Sequence, residues 1–191
     1  KEANRLGRPV VFDPVGVGAS RFRNETAAML LREVRFDVIK GNISEIAYLA
    51  EGIGTTKGVD ANLDALSTEG NLRWHTDLAR KVSTQTGAAI VISGPIDIVA
   101  DSHEAWAIRN GHPMMANITG HRLLRGADPQ ALLPSCVCAM SAMGICGELA
   151  YEKLLSVDGG SGTYRVLLMD AMSKLDGATL TRRSKAERLR I

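Results

Sequence analysis

Apolar residues along this chain alternate between two spacings: short continuous runs, and longer stretches in which they recur every third or fourth position. Pro9-Val-Val-Phe12 is the first run, bounded by Asp13-Pro14 and a glycine-rich turn. Residues 24–35 then place Ala27, Leu30, Leu31 and Val34 at helical spacing. The pair repeats, with a strand over 36–39 that ends at Lys40-Gly-Asn42 and a short helix over 44–50. Residues 52–71 are dense in turn formers and read as loop. An amphipathic helix over 72–86 closes on Gly87, and Ala88-Ala-Ile-Val-Ile-Ser93 follows. That run is apolar at consecutive positions, as a strand buried on both faces of a sheet requires.

After Gly94-Pro95 the pattern changes. Short runs at 96–100 and 105–108, joined by Asp101-Ser-His-Glu104, predict a hairpin at one edge of the sheet. Residues 131–155 are almost all Ala, Met, Cys, Leu and small residues. They predict a helix packed inside the domain, with Pro134 tolerated near its start. A final amphipathic helix covers 164–175. Lys1 to Gly7 reads as the last turns of a helix running into the first strand, so the chain is expected to begin inside a domain. Alternating strands and helices predict one α/β domain over residues 1–191, with a central, largely parallel sheet covered by helices on both faces.

Composition narrows the partners. The 23 basic and 21 acidic residues are spread along the chain and leave a net charge of +2, which favours neither a nucleic acid nor a membrane surface. Only 182–190 is locally basic, and without interleaved aromatic residues it reads as a solvated end. No apolar run is expected to reach transmembrane length. Cys136, Cys138 and Cys146 are odd in number and lie in an apolar segment, so they read as core residues of a cytoplasmic protein and not as a disulfide framework.

In open α/β sheets ligands collect beyond the C-terminal ends of strands, which directs attention to the loops there. Asp13-Pro-Val-Gly-Val-Gly-Ala-Ser20 sets a carboxylate at a strand end, then glycines that admit a ligand to the backbone, then a helix N-terminus. A plain strand–turn–helix connection is the competing reading. Lys40-Gly-Asn-Ile-Ser-Glu45 groups a cation, an amide and a carboxylate, the mixture that a phosphate donor with magnesium needs. A capped helix, with Asn42 or Ser44 as cap and Glu45 in its first turn, explains the same residues. Ser93-Gly94 offers a hydroxyl and exposed backbone, or simply a turn.

Taken in order, several segments resemble the hydroxyethylthiazole kinase family. They are Asp13-Pro-Val-Gly-Val-Gly-Ala-Ser20, Val38-Ile-Lys-Gly-Asn-Ile-Ser-Glu45, Lys57-Gly-Val-Asp60, Val91-Ile-Ser-Gly94, Asn110-Gly-His-Pro113, Gly147-Glu-Leu-Ala150 and Gly162-Thr-Tyr-Arg165. The resemblance implies a ribokinase-like fold. It also implies ATP- and magnesium-dependent phosphorylation of the primary alcohol of 4-methyl-5-(2-hydroxyethyl)thiazole, on the route to thiamine. It further implies ATP contacts at Lys40 and Ser93, magnesium and phosphate organised by Asp13 and Glu45, Gly120 bordering the thiazole, and a homotrimer with its pockets at subunit interfaces. A related vitamin-precursor kinase and a non-catalytic nucleotide-binding remnant are the alternatives.

Two departures from the family stand out. Nothing here matches the family's N-terminal segment, which carries its first strands, so a partial domain is expected. After Asn117-Ile-Thr-Gly120 the family continues with Thr or Ala, then Gly-Cys, the proposed catalytic cysteine. This chain reads His121-Arg-Leu-Leu-Arg-Gly126 instead, in a shortened stretch. His121 is the group there that could act as a base, and an ordinary surface histidine is the competing reading. The codons CAC CGG CTG C encode His-Arg-Leu, and read one base later they give ACC GGC TGC, Thr-Gly-Cys. A local frame shift restored before Cys136 therefore accounts for the loop. Sequencing the gene should show this string at codons 121–123, and codons without the shifted reading would sink the idea.

Overall fold

The structure, a computed structural model, describes residues 1–53, 68–117 and 131–190. Helix α1 (Glu2–Arg5) leads into strand β1 (Val11–Phe12), helix α2 (Arg21–Glu33), strand β2 (Val38–Asn42) and helix α3 (Ile43–Ile53). Helix α4 (Leu72–Thr86) precedes strands β3 (Ala89–Ser93), β4 (Asp97–Ala100) and β5 (Ala105–Ile108), and then a 3-10 turn (Pro113–Asn117). The long α5 (Leu132–Leu154), α6 (Ser161–Lys174), α7 (Gly177–Arg183) and strand β6 (Ala186–Arg188) follow.

The described strands form one sheet in the order β1-β2-β3-β4-β5-β6, parallel from β1 to β3 and antiparallel from β3 to β6. Alternation along each strand divides the core. Ile39, Ile90, Ile92, Ile98 and Ala100 face α2, α3 and α4, where Ala27, Ile46, Ala47, Leu78 and Val82 meet them. Val38, Ala89, Val91, Val99 and Ile108 face α5 through Leu133, Cys136 and Met140. Helices thus cover both faces, as the alternating pattern predicts, and the sheet itself is mixed. The fully buried Ile90, Val91 and Ile92 make β3 its hub.

Two expectations need correction. The basic C-terminal stretch keeps its charged side chains largely exposed but is not a loose end: it forms the end of α7 and all of β6, whose Ala186, Glu187 and Arg188 pair with Ile108, Ala107 and Trp106 of β5. The β4–β5 hairpin therefore lies inside the edge. Acidic partners hold the basic residues in place, with Arg183 on Glu152 at 2.6 Å, Lys185 on Glu148 at 2.9 Å and Arg188 on Glu104 at 2.7 Å. A charged edge strand of this kind also discourages pairing with another chain.

The second correction concerns α5, whose 23 residues are long and apolar enough to cross a membrane by length and composition. Its apolarity serves two packings at once. Its first half lies on the sheet, while Met143, Cys146, Ala150 and Leu154 of its second half pack against Tyr164 and Leu168 of α6. Burial pushes the Cys136 and Cys146 thiols up to about 11, which suits packing and not nucleophilic chemistry, whereas Cys138, expected with them in the core, is exposed on the outer side of α5.

The junction of β2 and α3 is a reciprocal cap. Asn42 Oδ1 accepts from Glu45 N at 2.9 Å and Glu45 Oε2 accepts from Asn42 N at 2.8 Å. The other oxygen, Glu45 Oε1, accepts from Gly16 N at 2.8 Å in the loop after β1, where Gly16 stands at φ +72. One carboxylate thus fastens two loops. Glu45→Gln retains a single acceptor oxygen, so one of these amides loses its partner. We expect a loss of about 1–2 kcal/mol in urea unfolding and a larger loss for Glu45→Ala; an unchanged midpoint for both would contradict this role.

Candidate active site

The C-terminal ends of β1, β2 and β3 lie side by side. Phe12 pairs with Ile39, Lys40 with Val91 and Asn42 with Ser93. This register brings Asp13, Lys40 and Ser93 together, although 80 residues of sequence separate the first from the last. The Lys40 side chain is only 14% exposed, and its Nζ lies 3.4 Å from Asp13 Oδ2, whose side chain is 45% exposed. Much of the lysine stem is therefore covered while its partner carboxylate remains open to solvent. Ser93 Oγ donates to the Gly41 carbonyl at 3.4 Å and bridges the ends of β2 and β3.

The capped-helix reading of the Lys40–Glu45 segment is the one the hydrogen bonds show. The capped helix exists, with Asn42 as its cap, and the same cap presents Lys40 beside the Asp13 loop. Gly18 N donates to Asn24 Oδ1 at 2.7 Å and Ser20 Oγ accepts from Arg23 N at 3.4 Å, so α2 begins at Arg21, ahead of the expected residue 24. Each Glu45 oxygen already accepts a backbone amide, whereas Asp13 has an exposed carboxylate and one cationic neighbour. Among the described residues no group of three or more His, Cys, Asp or Glu could enclose a metal ion. Magnesium is commonly held by one or two carboxylates with substrate phosphates and water completing its shell, and Asp13 fits that lighter requirement.

Sequence reasoning missed Asp97. It opens β4, and its Oδ1 accepts from Gly94 N at 2.9 Å across the β3–β4 turn. Burial pushes its carboxyl up to about 7, opposed by the Gly94 amide and by the Lys40 charge. The signal available was a lone acid inside an apolar run directly after Gly94-Pro95.

Gly120, His121 and the Lys57-Gly-Val-Asp60 segment lie outside the described residues. The described histidines lie elsewhere in the fold: His112 stacks on Tyr151 of α5 with ring centroids 3.6 Å apart, His75 is fully buried in α4, and His103 sits in the turn at the far end of β4 from Asp97. The later family-like segments form a framework. Asn110, 4% exposed, donates from Nδ2 to Glu148 Oε1 at 3.2 Å and to the Arg183 carbonyl at 2.9 Å, and its Oδ1 accepts from Lys185 N at 2.7 Å. A Cβ on Gly144 would come within 2.6 Å of the Asn110 backbone, so this helix position must remain bare for the clamp to close. Tyr164 donates its hydroxyl to the Gly147 carbonyl at 3.0 Å and locks α6 to α5.

Comparison with known proteins accounts for this combination of loops and framework. A family model described as "Hydroxyethylthiazole kinase family" matches residues 1–178. The hydroxyethylthiazole kinase of Desulfovibrio desulfuricans is 47% identical over 206 aligned positions, covering 100% of this chain and 72% of that protein. The hydroxyethylthiazole kinase of Clostridium acetobutylicum is 46% identical and covers 94% and 68% of the two chains. The solved structure of the hydroxyethylthiazole kinase protein from Pyrococcus horikoshii OT3 is similar with a TM-score of 0.79 at 25% identity, over 98% of this chain and 68% of that one. Because 206 aligned positions face 191 residues here, the Desulfovibrio protein carries residues inside the matched span that have no counterpart in this chain. Strand-end loops, interlocked helices and similarity along nearly the whole sequence agree, and the chain belongs to the hydroxyethylthiazole kinase family.

Proposed function

We propose that the chain transfers the γ-phosphoryl group of ATP to the primary alcohol of 4-methyl-5-(2-hydroxyethyl)thiazole, supplying thiamine synthesis by salvage. Family membership supports the reaction, and the observation that carries the site is the Lys40–Asp13 pair at adjoining strand ends. Phosphoryl transfer asks little covalent chemistry of a protein and much positioning and charge neutralisation. Lys40 is suited to the second task. Its ammonium is directed by a largely covered stem and lies 3.4 Å from the exposed Asp13 carboxylate. Lys40 would meet the nucleotide phosphates, and Asp13 would hold the magnesium ion that accompanies ATP.

Ser93, at the end of β3, is the second ATP contact in this reading. Glu45 contributes by holding the Gly16 and Asn42 amides in place, and through them the phosphate-side loops. The resemblance would set Gly120 at the border of the thiazole, and His121 is the group of the altered loop that could take the alcohol proton as the new O–P bond forms and the bond to the ADP oxygen breaks. Magnesium would supply charge neutralisation at the phosphates. The assembled protein is a cytoplasmic homotrimer in this proposal.

A coupled ADP-release assay with the thiazole alcohol, ATP and magnesium tests the reading, with calorimetry of a non-hydrolysable ATP analogue beside it. We expect turnover, lowered by about 10²-fold in Lys40→Met through loss of a fixed charge at the transferring group. Binding without turnover would point to a nucleotide-binding remnant. The absence of both binding and turnover would overturn the proposal.

A further inference from the structure

The connection from β3 to β4 is where the parallel half of the sheet becomes antiparallel, and it spans only Gly94, Pro95 and Ile96. A turn this short has few internal bonds to define it. Its anchor is the Asp97 carboxylate, whose Oδ1 accepts from Gly94 N at 2.9 Å. Register places this anchor in the site. Ile92 pairs with Ile98, so the next rung sets Asp97 beside Ser93, which pairs with Asn42 on its other side. Alternation puts Lys40, Ser93 and Asp97 on one face of the sheet, the face whose deeper rungs, Val91 and Val99, pack under α5.

The charges agree with this placement. Lys40 acts on Asp97 from β2 and meets Asp13 at 3.4 Å on the loop after β1, so the lysine stands between two carboxylates with unlike tasks. The one on Asp13 is exposed and has no backbone bond to keep. The one on Asp97 is partly buried and is engaged by the turn that follows Ser93. Ile108, opposite Asp97 on β5, brings no charge of its own.

We propose that Asp97 is a positioning residue for the nucleotide side of the site: by accepting from Gly94 N it fixes the β3–β4 turn so that the Ser93 hydroxyl and the turn backbone stand level with Lys40. The inference rests on the kinase reading above and adds to it a residue that makes no contact with the reacting atoms. It predicts a split between two substitutions. Asp97→Asn keeps an acceptor oxygen for Gly94 N and removes the charge, whereas Asp97→Ala leaves that amide without a partner.

Calorimetric titration of the full chain with a non-hydrolysable ATP analogue and magnesium, together with hydrogen exchange of the Gly94 amide, tests this. The Ala variant should bind the analogue about tenfold more weakly and exchange Gly94 faster by a similar factor, while the Asn variant should stay within about twofold of the parent in both. Three results would overturn the inference: analogue affinity unchanged in the Ala variant, equal losses in both variants, or Gly94 exchange unmoved by Ala. Lys40→Ala keeps the two levels apart. If it loses binding while Asp97→Ala does not, the kinase site stands and the role of Asp97 falls; if the parent chain binds no analogue, both fall together.

Discussion

A single carboxylate holds the site loops in their arrangement. Glu45 is the third residue of α3, and its oxygens accept one amide from its own helix cap and one from the loop after β1. The first bond starts the helix immediately beyond β2. The second draws the Asp13 loop across the neighbouring strand end, where Asp13 meets Lys40. Local capping chemistry and site assembly are therefore one event, and a substitution at Glu45 acts on stability and on the site together.

The rest of the fold gives this junction a rigid base. β3 is buried on both faces and joins a parallel half, whose strand ends carry the candidate residues Asp13, Lys40 and Ser93, to an antiparallel half in which Asp97 is the one candidate among the described residues. β6 closes the antiparallel edge, and α5 ties that edge to α6. The Asn110 clamp joins the end of β5, α5 and the approach to β6 through polar atoms that are nearly all satisfied internally, as buried polar groups require. Several segments that resemble the family therefore serve packing: Asn110 ties the end of β5 to α5, Gly144 leaves room for it, and Tyr164 binds α6 to the Gly147 carbonyl.

Much of the fold was legible because it rests on local patterns. The helices over 72–86 and 131–155 and the buried strand at 88–93 emerge within a residue or so of their observed limits, the first and last bounded by Gly87 and Gly94 and the long helix by its continuous apolar composition. β6 was not legible. Only Ala186 of its three residues turns inward, and its partners are remote in sequence: the β5 ladder, with Glu104 on Arg188 and Glu148 and Glu152 on the residues leading into it. At the site, Asp13, Lys40 and Ser93 were named from their positions after strands, and the parallel register brings them together. The bond from Glu45 to Gly16 links residues 29 apart and had no local signal. Asp97 was hidden because one acid at the start of an apolar run reads as an ordinary strand end, and its bond to Gly94 N leaves no mark on the local spacing.

The central claim is that the ends of β1, β2 and β3 form the nucleotide site. Amide chemical-shift mapping of the labelled chain, titrated with a non-hydrolysable ATP analogue and magnesium, tests it most directly. The account predicts that the largest shifts fall on Gly16, Gly41, Asn42 and Gly94, with α6 and α7 unaffected. Shifts centred on α6 and α7, or an unchanged spectrum at saturating analogue, would contradict it.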